Sequence, residues 1–304
     1  MVENSVLDIT VCILSYNRAA YLSEAIISVL GQLDSPKEII VFDNGSKSDV
    51  VKAVAEFASL GVRFQGSEVT NSPIWNFRRA IAYAQTKYVF VMHDDDKINP
   101  DFLQKQVEFL ESNSEIGAVT CNGFIIDETG KRNGKYVRAG FVDVAPEVYK
   151  CSVDVAIRYA SDGCVPFSPT VYKSSFVKQV DLKEDFGKFG DAVFFCDMAD
   201  MGKLAFRSDV LYECRVHAGQ DSSHSPLELV EKLEIFFLTR KSENLKDIAL
   251  LKKLLIKQHT LRILRQLAER RNFFRALNGL FDKRFSITAI GELFIEKLKR
   301  KGVL

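Results

Sequence analysis

Tyr88-Val89-Phe90-Val91-Met92-His93-Asp94-Asp95-Asp96, residues 88–96, joins five apolar residues to a histidine and three consecutive carboxylates. The apolar half suits a strand buried on both faces of a sheet, and the acidic half marks that strand's carboxyl end. Adjacent carboxylates there repel one another and call for a cation among them. A divalent metal that prefers hard oxygen ligands, Mg²⁺ or Mn²⁺, meets that need, and such ions are held by one or two carboxylates together with substrate phosphates. The run therefore points to an enzyme acting on a phosphorylated or nucleotide substrate. Acidic residues after a strand also serve as turn formers or helix N-caps, so the flanking sequence has to decide.

Upstream, the same strand–loop–helix pattern recurs. Ile9-Thr10-Val11-Cys12-Ile13-Leu14 reads as a buried strand ended by Ser15-Tyr16-Asn17-Arg18, and Leu22, Ala25, Ile26, Val29 and Leu30 fall on one helical face before Gly31. Glu38 to Phe42 is a second strand, followed by the turn Asp43-Asn44-Gly45-Ser46 and a helix carrying Val51, Val54, Ala55 and Ala58. A short strand near Val62-Arg63-Phe64 leads to Ser72-Pro73, an N-cap with proline at the first helical position, and to a stripe of Ile74, Phe77, Ile81 and Ala84. The resulting βαβαβαβ order predicts an open, mostly parallel sheet with helices on both faces. In such sheets ligands bind beyond the carboxyl ends of the strands, where the sequences SYNR, DNGS and HDDD all fall.

Downstream, a helix is expected from Asn99-Pro100-Asp101 to about Ser112, then a strand from Ala118 to Ile126 and a hairpin containing Gly130, Asn133 and Gly134. The periodicity weakens beyond it. Residues 161–172 read as a loop leading into a strand, and residues 181–190 as a mobile polar loop beside a site. From Pro226 onward the pattern is helical, with Phe273, Leu277, Leu280 and Phe281, then Ile290, Leu293, Phe294 and Leu298.

With 304 residues and ordinary apolar and charged fractions, the chain has ample material for a large core. A formal net charge of +1 gives no whole-chain signal for nucleic acid. That average conceals a split: residues 231–304 carry a net +10 and residues 1–230 a net −9. The six cysteines form no C-x-x-C pair, so neither a zinc site nor a disulfide framework is signalled. No basic leader precedes a long apolar stretch, and no run approaches the ~18 apolar residues of a membrane span. A cytoplasmic protein is the expectation.

The segments VCILSYNRAAYLSEAIISVLGQ, EIIVFDNGS, WNFRRAIAYAQTKYVFVMHDDDKINPDFL and FGDAVFFCDMADMGKLAFRSDVLYECRVH, in that order across residues 9–217, resemble the family 2 glycosyltransferases, nucleotide-sugar-dependent enzymes of the GT-A fold. The resemblance implies a Rossmann-like α/β domain over residues 1–225, with a nucleotide-binding half at 1–99 and an acceptor-binding half at 100–225, followed by a basic helical extension at 226–304. It implies that Asp43, with Asn44, recognises the nucleotide base, that Ser15, Tyr16, Asn17 and Arg18 line the base and ribose pocket, and that Asp94 meets the ribose. Arg79 is a candidate for the phosphates, with a solvated helix face as its alternative. Asp95 becomes the principal ligand of a Mn²⁺ or Mg²⁺ ion, Asp96 a supporting one, and His217 of Arg215-Val216-His217 closes over the pyrophosphate or metal. His93 stands where the family's Asp-x-Asp motif has its first aspartate.

Asp191 of Gly190-Asp191-Ala192 takes the place of the general base of inverting members, which implies transfer of a sugar with inversion to a hydroxyl of a saccharide or lipid-linked acceptor. As a competitor, Asp191 can simply cap a helix. The basic tail is open to two readings, an anionic membrane surface at the inner face or packing against the catalytic domain or a twin subunit. Two other classes remain beside the transferase. A nucleotidyltransferase would want a glycine-rich basic loop after the first strand, where only Arg18 stands. A non-catalytic nucleotide-sugar-binding scaffold would not require Asp191.

Overall fold

The structure, a computed structural model, describes residues 5–46, 48–217, 227–268, 286, 288 and 289. The N-terminal half alternates β1 (Val6–Ser15), α1 (Ala19–Leu30), β2 (Ser35–Asp43), α2 (Ser48–Ala55), β3 (Val62–Gln65), α3 (Pro73–Tyr83) and β4 (Tyr88–His93). Local chemistry sets several of these bounds. Gly31 ends α1 with its N–H returned to the Ile27 and Val29 carbonyls, and Ser72 caps α3 by accepting from the Trp75 N–H at 3.1 Å, with Pro73 next. In α2 the core-facing row is Val50 and Val54, while Val51 is 48% exposed. The i, i+4 pair from Val50 faces the sheet, one position earlier than the stripe expected from sequence.

The second half adds β5 (Lys97–Ile98), α4 (Phe102–Ser112), β6 (Ile116–Ile126), β7 (Arg132–Tyr136), β8 (Glu147–Tyr149), α5 (Ser152–Asp162), β9 (Val171–Lys173), the short α6 (Ser174–Val177), α7 (Gly190–Met201) and β10 (Lys203–Arg215). All ten strands belong to one sheet, whose path is β3-β2-β1-β4-β9-β6-β10-β5 with β7 and β8 attached at its side. Strands β3, β2, β1 and β4 are parallel. Beyond them the sheet is mixed, because β9 runs antiparallel to both β4 and β6 while β6 and β10 are parallel. Helix α5 and the 3₁₀ turn Glu184–Phe189 occupy stretches where the sequence showed no clear period. The turn is held by Arg78 to Asp181, Ser72 to Glu184 and Lys232 to Asp185, so segment 181–190 is tied down on both sides.

Each face of the sheet has its own core. Ile9, Val11 and Ile13 point to the side covered by α1, α2 and α4. Cys12, Ile40 and Phe42 point to the side covered by α3, α5 and α7, as the alternation of a strand requires. Helices α8 (Leu227–Leu238) and α9 (Leu245–Ala268) join this second core through Leu233, Phe236, Phe237, Leu251 and Leu255. From Leu233 to Leu255 these helices are thus packed on the α/β core. The apolar positions expected from Phe273 to Phe281 and from Ile290 to Leu298 lie outside the described residues.

Candidate active site

Strands β1, β2 and β4 run in the same direction, so the turns after Ser15, Asp43 and His93 share one edge. Helix α7 precedes β10, which is parallel to β6, and therefore begins at that same edge. Its first turn carries Asp191. Loop 163–170 bridges the two regions: Phe167 packs on Phe77, Phe194 and Phe195, and the next residue, Ser168, meets His93 Nδ1 through its hydroxyl at 3.2 Å. Asp43, the acidic turn and Asp191, far apart in sequence, thus lie along one edge of the sheet.

The first wall is built by backbone. Asp43 Oδ2 accepts from the Gly45 and Ser46 N–H groups at 3.1 and 2.8 Å, and the Ser46 hydroxyl donates to Oδ1. Gly45 has φ +82°, and a Cβ there would sit 2.8 Å from the Val69 carbonyl carbon, so both conformation and space require glycine. Asn44 ties the turn to Asn71 through both side-chain atoms, at 2.9 and 3.0 Å. Asn17, with φ +55°, donates its N–H to the Ser46 hydroxyl oxygen at 2.8 Å. Ser15 is buried and Tyr16 is 42% exposed. Arg79 lies between the rings of Phe42 and Trp75 and donates to the Asp43, Gln65 and Gly66 carbonyls. Its donors serve the backbone beneath the Asp43 turn.

The acidic turn is almost wholly enclosed: Asp94, Asp95 and Asp96 are 0%, 6% and 2% exposed. Asp94 accepts the Tyr16 N–H at 2.9 Å, and burial raises its carboxyl to about 6. Burial also opposes ionisation of Asp95, but His93, Arg18 and His217 outweigh it and hold that carboxyl below its usual range. Asp96 is pushed up, first by burial and then by the adjacent Asp95 charge, although the Tyr212 hydroxyl and Arg215 N–H donate to it.

The donor set fits a divalent cation. Ligand atoms of His93, Asp95 and Asp96 lie within 4.8 Å of one another, and His217 Nε2 is 3.0 Å from Asp95 Oδ2. His93 thus joins the cluster beside the expected Asp95 and Asp96, and it was legible as the residue replacing an aspartate. Arg215 was not legible as a structural group. It is fully buried, donates from Nε to the Asp95 carbonyl at 2.8 Å, reaches the Asp127 and Glu128 carbonyls and Glu24, and stacks on Tyr21. It braces the acidic turn from below, while His217 approaches it directly.

Asp191 is partly buried and accepts from the next residue's N–H, Ala192, at 2.7 Å. Phe189 occupies the cap position of α7, so Asp191 lies inside the first turn. Burial lifts its carboxyl to about 6, with the Ala192 N–H and the Tyr159 hydroxyl opposing the rise. A carboxylate that titrates near neutrality is suited to accepting a proton.

A curled α/β sheet, parallel where it carries the acidic turns and mixed beyond, with helices on both faces, defines a GT-A fold. Residues 10–172 match the family model described as glycosyl transferase family 2, and the chain belongs to that family: it is a glycosyltransferase. An uncharacterized glycosyltransferase of Haemophilus influenzae is 23% identical over 234 residues, covering 74% of this chain and 72% of that protein. One from Nostoc is 34% identical over 116 residues, covering 36% of this chain and 35% of its own. Among solved structures, S. aureus TarS 1–349 in complex with UDP-GlcNAc superposes with a TM-score of 0.63 at 17% identity, over 86% of this chain and 73% of that one. The mannosyltransferase PcManGT of Pyrobaculum calidifontis, in complex with GDP-Man and Mn²⁺, gives a TM-score of 0.58 at 16% identity, over 95% and 79%.

Proposed function

We propose that this glycosyltransferase moves a sugar from a nucleoside-diphosphate sugar to a hydroxyl of a saccharide or lipid-linked saccharide acceptor, with inversion and with a divalent metal, in polysaccharide or glycoconjugate assembly. The observation that carries this reading is the convergence of Asp43, the acidic turn and Asp191 on one sheet edge. In it the Asp43–Ser46 and Ser15–Arg18 turns, with Asn44 and Asp94, hold the nucleoside.

Asp191 accepts the proton of the acceptor hydroxyl as that oxygen bonds to the anomeric carbon and the bond to the diphosphate breaks. Single displacement from the opposite side inverts the centre. His93, Asp95 and Asp96 would hold the ion, with His217 beside Asp95. When bound, such an ion offsets the charge growing on the departing nucleoside diphosphate. An imidazole among carboxylates favours Mn²⁺ over Mg²⁺, which prefers an all-oxygen octahedron. The solved relatives named with UDP-GlcNAc and with GDP-Man and Mn²⁺ support a nucleotide-sugar donor of this kind.

No helix among the described residues is long and apolar enough to cross a membrane. Leu245 and Leu250 are 80% and 44% exposed on α9, where Lys252 and Lys253 are also exposed, which supports peripheral contact with an anionic bilayer carrying the acceptor. Thermal-shift screening against a panel of nucleotide sugars, with and without Mn²⁺, tests the donor reading. One donor is expected to raise Tm strongly only when Mn²⁺ is present. A panel without any shift refutes it.

A further inference from the structure

Arg18 is the N-cap residue of α1, yet its side chain caps nothing there. A guanidinium beside the positive end of a helix is electrostatically unfavourable, so its position needs compensation. The acidic turn supplies it: Nε lies 3.2 Å from Asp94 Oδ1, and Nη1 pairs with Asp95 Oδ2. His217 Nε2 approaches the same Asp95 oxygen at 3.0 Å and stands 3.3 Å from Arg18 Nη1. Two basic groups converge on one carboxylate oxygen. Asp95 Oδ2 can accept from both, which brings two donors side by side at one acceptor.

Asp95 is also one of the three residues whose ligand atoms cluster within 4.8 Å. Arg18 therefore pairs with a carboxylate that a cation at this cluster needs. Its side chain is 34% exposed, against 0% and 8% for those of Asp94 and Asp95. The guanidinium side chain reaches solvent, and the carboxylates are enclosed.

We infer that Arg18 is the exchangeable counter-ion of the acidic turn: it neutralises Asp94 and Asp95 in the metal-free protein and surrenders Asp95 Oδ2 to an incoming divalent cation. Metal binding is then a competition with a residue of the chain itself, an inference that rests on the metal reading above. Removing the guanidinium strengthens binding of the free metal. A residue that only supported the loop would have the opposite effect when removed, since loosening the turn weakens its ligand set. The lower end of measured couplings between close charges corresponds to about tenfold in affinity.

The test is Mn²⁺ binding to the full chain without nucleotide, read from the electron paramagnetic resonance signal of unbound Mn²⁺. Arg18→Met is expected to bind Mn²⁺ about tenfold more tightly than wild type, and adding Asp95→Asn is expected to abolish the gain. Equal or weaker binding by Arg18→Met, or a gain that survives Asp95→Asn, overturns the inference. Absence of binding by both wild type and Arg18→Met overturns the metal reading with it. Should circular dichroism show Arg18→Met unfolded, Arg18→Gln carries the same expectation and the same refutation, because it drops the charge but keeps a hydrogen-bond donor.

Discussion

Replacing Asp191 by Asn is expected to make the protein more stable and almost inactive at the same pH. Burial raises the Asp191 carboxyl from 3.8 to about 6, so the folded state holds its proton where the unfolded chain has released it. Stability therefore falls as pH climbs from about 4 to about 6, and the loss persists above that range. The shift of about two units corresponds to at most ~3 kcal/mol, and the partial exposure of Asp191 trims this to ~1–2 kcal/mol. Urea denaturation at pH 8 should show Asp191→Asn stabilised by that amount, with the difference vanishing near pH 4. Turnover, measured as nucleoside diphosphate release at saturating donor and Mn²⁺, should fall ~10²- to 10⁴-fold in the variant. The wild-type rate should rise with pH through about 6, losing about tenfold per unit below it, because only the ionised carboxylate accepts a proton. A flat wild-type profile between pH 5 and 7, or a variant retaining a large share of turnover, refutes the base assignment.

Asp95→Ala is expected to abolish the Mn²⁺-dependent part of the thermal shift given by the donor, and full activity in the presence of a chelator contradicts the metal assignment. Arg215→Met leaves the Asp95, Asp127 and Glu128 carbonyls without that donor. It should cost ~3–5 kcal/mol in denaturant titrations, the range for breaking a buried charged contact, and a loss below about 1 kcal/mol would deny its bracing role. Phe237, 3% exposed, belongs to the core shared by α8 and α5. Its replacement by Ala should cost ~3–5 kcal/mol, and a two-step melt in the variant would mean that the C-terminal helices unfold separately from the catalytic core.

Elements dictated by local rules were legible in the sequence, and features made by distant contacts were not. The α1 stop at Gly31, the Ser72-Pro73 start of α3, and the strand running into His93 are in place. Arg215 reads in sequence only as the first residue of the Arg215-Val216-His217 element, and only the fold shows it fully buried under the acidic turn. Arg79, a candidate for phosphate, is committed to backbone carbonyls. Helix α5 escaped notice because its apolar residues answer to α7 and α9, neither of which is adjacent in the chain.

Sequence alone determined the alternation of strands and helices, the edge at which the polar turns fall and the family to which the chain is similar, since period, capping and turn chemistry act over a few residues. Tertiary structure alone decided which charges meet. Asp95 faces Arg18 and His217 from 77 and 122 residues away. Their mutual attraction, and the displaced titration of the carboxyls beside them, arise only when burial removes the water that would otherwise screen each charge from the others.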